Sequence, residues 1–170
     1  RDLIDEKGAE DQVIDAIGKL TKDENFYQFY LSDGQGADDL IDQIRYFAVA
    51  CGVKFVFFEP IQDVLVGSSD ESKEQMLADL SVRLSKLSAE LNVGIVTIAH
   101  TNDDGQMKYC RMIGQRASVI IDLKRDKEAD DIQERNTTYL SIEKNRPCSE
   151  EGNAGMMRFN TDTFTLTEVM

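Results

Sequence analysis

Apolar residues recur at helical spacing in three stretches of the chain. In residues 9–22 they fall at Val13, Ile14, Ile17 and Leu20. In residues 36–50 they fall at Leu40, Ile41, Ile44, Phe47 and Ala48, with Gly52 as the stop. In about 71–92 they fall at Met76, Leu77, Leu80, Leu84, Leu87 and Leu91. Each spacing predicts an amphipathic helix with one buried face. Between the helices lie short runs of another kind. Residues 26–31, with Phe26, Tyr27, Phe29 and Tyr30, form an aromatic-rich run bounded by Asn25 and by Ser32, Asp33 and Gly34, which reads as a strand. Residues 53–58 and 93–99 are nearly all apolar, the mark of strands buried on both faces of a parallel sheet. Residues 119–123 read as a third such strand, and the acidic stretch 126–136 as a connection. Residues 137–143 alternate as a strand, and 156–159 pairs with 163–167 in a closing hairpin around Asn160, Thr161 and Asp162.

Helices and strands that alternate and then give way to a strand-rich tail predict an α/β fold. The expected architecture is a doubly wound, mostly parallel sheet with helices on both faces and an antiparallel C-terminal hairpin. A length of 170 residues suits one domain spanning 1–170. At 41 % hydrophobic residues the chain can bury a core, which excludes wholesale disorder. No apolar run approaches the roughly 18 residues of a membrane helix, and the acidic N-terminus carries no signal-peptide pattern. Cys51, Cys110 and Cys148 are too scattered for a disulfide framework, and with His100 as the single histidine a structural zinc site is also unsupported. A cytoplasmic setting is the expectation.

A net charge of −13 argues against a broad nucleic-acid-binding surface. The acidity is concentrated in the first half, however. Within 101–125 the bases Lys108, Arg111, Arg116, Lys124 and Arg125 outnumber Asp103, Asp104 and Asp122. Any polyanion contact belongs in that segment. Its Gly105, Gly114 and Tyr109 suit a loop that tracks a nucleic-acid backbone, although a solvated loop has the same composition.

Three further positions can carry chemistry. Glu59 directly follows the apolar strand 53–58, and ligands of doubly wound folds bind beyond the carboxyl ends of the strands. An acid there can orient Mg²⁺ and its waters beside a nucleotide, or can simply open the loop that begins at Pro60. His100 holds the same place after the next strand and can hydrogen-bond a terminal phosphate in the same crevice. Lys144 and Arg146 follow the strand 137–143, and alternation puts both cations on one face. That pair suits a phosphate clamp, or a solvated sheet edge that resists aggregation. No G-x-x-x-x-G-K-[ST] phosphate loop occurs; Gly18, Lys19 and Leu20 lack its hydroxyl residue and its earlier glycine.

The ordered set is an apolar strand ending in Glu59, a long helix, and an apolar strand ending in His100. A basic loop with glycines follows, then Lys144-Asn145-Arg146 and Gly152-Asn153-Ala154-Gly155. This order resembles the RecA-like motor domain of hexameric, DnaB-type replicative DNA helicases. It is most similar to the phage primase–helicase and Twinkle-like branch, in which a histidine replaces the glutamine of the bacterial branch. The resemblance covers about residues 24–168. It implies an ATP-driven motor, using Mg²⁺ and ATP or another nucleoside triphosphate, that encircles single-stranded DNA as a hexameric ring during replication. It implies that Glu59 is the Walker B acid acting through Mg²⁺ waters, that His100 senses the γ-phosphate, and that Arg146 is an arginine finger with Lys144 beside it. Lys108, Arg111 and Arg116 would contact DNA, and loops at about 67–72 and 101–116 would line the channel. A phage-encoded protein of this kind would act in the host cytoplasm.

The chain departs from the family pattern in three places. Walker B is usually Asp, where Glu59 stands; Ser118 replaces the usual acid before the last parallel strand; and the Walker A loop and catalytic glutamate would lie upstream of residue 1. The resemblance therefore implies the C-terminal part of a longer polypeptide or a degenerate homologue. A missing central strand would leave one flank of an apolar strand unpaired and prone to aggregate, so about 100 or more residues before Arg1 are expected. Rival functions are a recombinase- or KaiC-like ATPase without unwinding activity, and a non-catalytic assembly or binding module.

Overall fold

The computed structural model describes residues 9–22, 26–32, 35–65, 70–101 and 111–169. Its backbone groups into two compact units, Arg1–Tyr109 and Cys110–Met170.

In the first unit, α1 (Ala9–Thr21) is the helix expected over 9–22, and Val13, Ile14 and Ile17 on its apolar stripe are exposed. α2 (Ala37–Ala50) starts where the Asp39 carboxylate accepts a hydrogen bond from the Gly36 N–H (2.9 Å), a first-turn cap that satisfies an otherwise orphaned donor. It stops at Gly52, whose φ of +72° is the left-handed conformation that glycine adopts without strain. β1 (Phe55–Phe58) and a 3₁₀ turn (Ile61–Leu65) lead to α3 (Asp70–Leu91) and then to β2 (Gly94–Thr97). β1 and β2 pair in parallel, with Phe55 opposite Gly94 and Phe58 opposite Thr97. A parallel pair needs a long crossover, and α3 supplies it.

The core of this unit lies where α2 and α3 meet β1 and the 3₁₀ turn. Leu40, Ile41 and Ile44 of α2, Leu77, Leu80, Leu84 and Leu87 of α3, and Val56, Ile61, Val64 and Val93 are all buried. Within α2 and α3 the buried apolar residues are all positions that helical spacing picks out, while Phe47, Ala48 and Leu91 are half-buried and Met76 is exposed. The ends of α2 and α3 are tied by a two-pronged ion pair, Arg45 to Glu90, at 2.5 and 3.3 Å. The hydrogen bonds from Arg45 hold the Glu90 carboxyl below its usual pKa. Glu90 thus binds a proton less readily folded than unfolded. Its stabilisation is complete above the unfolded carboxylate pKa and is lost as pH falls through the folded value. Thermal melts should show Arg45→Met slightly less stable than the parent at pH 7, with the gap closing at pH 3.

Two sequence expectations are corrected here. Residues 26–31 form no strand. Tyr27 and Phe29 instead lay their rings 5.4 Å from that of Phe47 on α2, so the run packs through alternate side chains without a backbone ladder. The strand 53–58 is covered on one face only. Val56 is buried, whereas Phe55 and Phe57 are 67 % and 73 % exposed, and Val96 and Ile98 share their exposure. On the open side Gly94 leaves room for the Phe55 ring, since a Cβ there would come within 2.6 Å of it.

The second unit holds α4 (Arg111–Arg116), β3 (Val119–Lys124), a short α5 (Ile132–Arg135) within the acidic connection, β4 (Thr137–Asn145), β5 (Gly152–Asn160) and β6 (Thr165–Val169). The four strands form an antiparallel sheet in chain order. The antiparallel part therefore extends beyond the expected closing hairpin, and β3 joins it rather than the parallel pair. The ladders shift register at Ile120/Ile121 and at Leu140/Ser141. Thr137 is buried where β4 begins. Its hydroxyl donates to the Gln133 carbonyl (2.7 Å) and accepts from Arg158 Nε (3.2 Å).

Candidate functional site

The parallel pairing of β1 and β2 puts both strand ends on one side of the sheet. Glu59 follows β1 and His100 lies just past β2. The ladder continues beyond the strands, with the Ile98 N–H donating to the Phe58 carbonyl (3.3 Å) and the Ile61 N–H to the Ile98 carbonyl (3.0 Å). The two positions that the sequence singles out are thus held on adjacent chain segments at a carboxyl-terminal sheet edge, where open α/β sheets bind ligands. Both residues are exposed. Among the described residues neither the Glu59 carboxylate nor the His100 imidazole has a hydrogen-bond or ion-pair partner. An unpartnered carboxylate is a hard oxygen donor, and its chemistry fits Mg²⁺ held through water.

Lys144 and Arg146 stand together in the second unit, as alternation predicts, and both reach the C-terminal end of α4. Lys144 Nζ donates to the carbonyls of Gly114 (2.6 Å) and Gln115 (3.0 Å), and Arg146 Nη2 donates to the same Gln115 carbonyl (2.6 Å). The Arg146 N–H donates to the Ser118 carbonyl (3.0 Å). The last carbonyls of a helix have no partner within it and carry partial negative charge, so two cations there satisfy acceptors and complement the helix dipole. Burial, and then the neighbouring Arg146 charge, lower the Lys144 pKa. Lys144 lies inside β4, opposite Ile120, because that strand runs two residues further than the alternation suggested.

Of the three candidate DNA contacts, Arg111 opens α4 and Arg116 closes it with an exposed side chain. Lys108 lies outside the described residues, as do 67–69 and 102–110 of the two expected loops, while 70–72 open α3 and 111–116 form α4 rather than loop. Sequence reasoning missed two groups. Gln62 binds the main chain of His100 through its carboxamide, and the Gln115 carbonyl gathers both cations. Pro60, which interrupts any ladder, was the available signal for the first. The second is a main-chain group and leaves no trace in residue identity.

The architecture is RecA-like, an α/β fold with a parallel strand pair and a four-stranded antiparallel sheet. The ATPase domain of a DnaB-like helicase matches over 96 % of this chain and 61 % of its own, with a TM-score of 0.76 and 16 % identity. A DnaB-like replicative helicase, described with its interactions with primase, matches over 98 % of this chain and 42 % of its own (TM-score 0.75, 16 % identity). A KaiC-like protein from the hyperthermophilic archaeon Pyrococcus horikoshii matches over 98 % and 73 %, with a TM-score of 0.65 and 13 % identity. The chain spans less than two thirds of the first two. At these identities the likeness is one of fold. No protein-family model and no curated protein matches the chain. Among the described residues no helix is long and apolar enough to cross a membrane.

Proposed function

We propose that the chain is the motor part of a DnaB-like DNA helicase, a single RecA-like domain that hydrolyses a nucleoside triphosphate at subunit interfaces and translocates on single-stranded DNA. The observation that carries this reading is the pair of unpartnered side chains, Glu59 and His100, at neighbouring carboxyl ends of a parallel strand pair. In this reading Glu59 holds the waters of Mg²⁺ and His100 hydrogen-bonds the γ-phosphate. Arg146 reaches the nucleotide of the neighbouring subunit in a hexameric ring, and Lys108, Arg111 and Arg116 meet the DNA.

The test uses the full-length polypeptide. Hydrolysis stimulated by single-stranded DNA, together with strand displacement from a forked duplex, is the expected result, and Glu59→Gln should abolish both. DNA binding should be weak and salt-sensitive and should depend on ring assembly, because a few bases per subunit act together only when several copies face one strand. Hydrolysis without displacement would instead identify a KaiC-like ATPase, and no hydrolysis would leave an assembly module.

A further inference from the structure

Past Phe58 the β1–β2 ladder is built differently. Pro60 has no N–H, so the main chain cannot supply the next rung at that position. The Ile61 N–H takes it over, reaching the Ile98 carbonyl at 3.0 Å. The rung after that is made by a side chain. Gln62 Nε2 donates to the His100 carbonyl (3.2 Å), and Gln62 Oε1 accepts from the His100 N–H (3.4 Å). A carboxamide offers the same donor and acceptor as a peptide group, so it can pair with a strand as an added residue would.

We infer that Gln62 is the positioning residue of His100. It holds both main-chain polar groups of the histidine and so sets where the imidazole begins. The clamp has a firm root. Gln62 sits in the 3₁₀ turn between Ile61 and Val64, both buried in the core, and the Asp63 N–H closes that turn on the Pro60 carbonyl (3.1 Å). The histidine, by contrast, is exposed. Among the described residues, the next hydrogen bonds between this segment and the β1 side are those of Ile98, two residues earlier. The consequence for turnover rests on His100 acting on the γ-phosphate, a task in which misplacement by about 1 Å can cost 10²-fold.

Gln62→Ala, Gln62→Glu and His100→Ala in the full-length protein, with the double variant Gln62→Ala/His100→Ala, test the inference. Hydrogen–deuterium exchange read by mass spectrometry follows the peptide containing His100, with a peptide from the buried face of α3 as the fold control. In Gln62→Ala the His100 peptide should exchange faster while the α3 peptide is unchanged. The kcat for ATP with Mg²⁺ should fall about 10- to 100-fold with KM within about twofold. Gln62→Glu keeps the acceptor for the His100 N–H and should recover part of the loss. Because the glutamine acts through the histidine, the double variant should be no slower than His100→Ala alone. Unchanged exchange at His100, or losses that multiply in the double variant, would overturn the inference. If His100→Ala turns over like the parent, the sensor reading fails, while faster exchange at His100 in Gln62→Ala would still uphold the clamp and unchanged exchange would overturn it.

Discussion

Alanine in place of Arg146 is expected to lower nucleoside-triphosphate turnover about 10³-fold or more, the usual contribution of an arginine that reaches a transferring phosphoryl group. The structure also gives this guanidinium a local role, since it donates to the Gln115 carbonyl at the end of α4. A merely structural arginine would be a cap, worth little at an exposed position and replaceable by another cation. Lysine separates the two. Arg146→Lys can still donate to a helix-end carbonyl but lacks the planar fork that spans two phosphate oxygens. If Arg146 is the finger, lysine should be nearly as slow as alanine while both variants assemble as the parent does. Recovery of turnover by lysine would leave Arg146 as a helix cap. Lys144 already holds the Gly114 and Gln115 carbonyls, so α4 keeps a cap when Arg146 leaves it.

Truncation of Leu80 to alanine should destabilise the protein by about 2–5 kcal/mol, read from urea unfolding curves. Leu80 is fully buried, midway along the α3 face that packs against α2, and it is flanked by Leu77 and Leu84 on the same stripe. Removing its three outer carbons loses their transfer from water and leaves a hole that two helices joined to the same strand pair cannot readily close. Lys86→Ala, on the exposed side of the same helix, is the control and should change stability by no more than about 0.5 kcal/mol. Similar losses in the two variants would mean that α3 does not carry the core of this unit.

The helices that hold this core were legible because burial repeats along them. Leu40, Ile41 and Ile44, and Leu77, Leu80, Leu84 and Leu87, mark their inner faces at the helical period. The candidate site was legible through position, since an acid and a histidine each stand just past an apolar run. What escaped has no period. The aromatic run at 26–31 has the composition of a strand, but its Tyr27 and Phe29 rings pack on Phe47 without a partner strand. Continuous apolarity at 53–58 signals two faces that avoid water, yet it does not say which elements cover them. Phe57 is left open here. The Gln62 clamp joins residues 38 apart through a side chain and a main-chain pair, a contact that only the fold brings together.

The order of the strands also bears on how the chain acquires its shape. β3 to β6 form a meander in which each strand pairs with the next, so their contacts are local in sequence and hairpins of this kind close in about microseconds. β1 and β2 are separated by the whole of α3, and their pairing has to wait until that helix has formed and docked. On a ribosome β1 emerges first and stays without its partner for the roughly 40 residues of synthesis that bring out β2, which takes several seconds at about 5–20 residues per second. Through that interval the unpaired backbone of β1, beside the exposed Phe55 and Phe57 rings, is the segment most open to the wrong neighbour. Nascent-chain quality control would therefore be decided at the parallel pair rather than at the larger sheet.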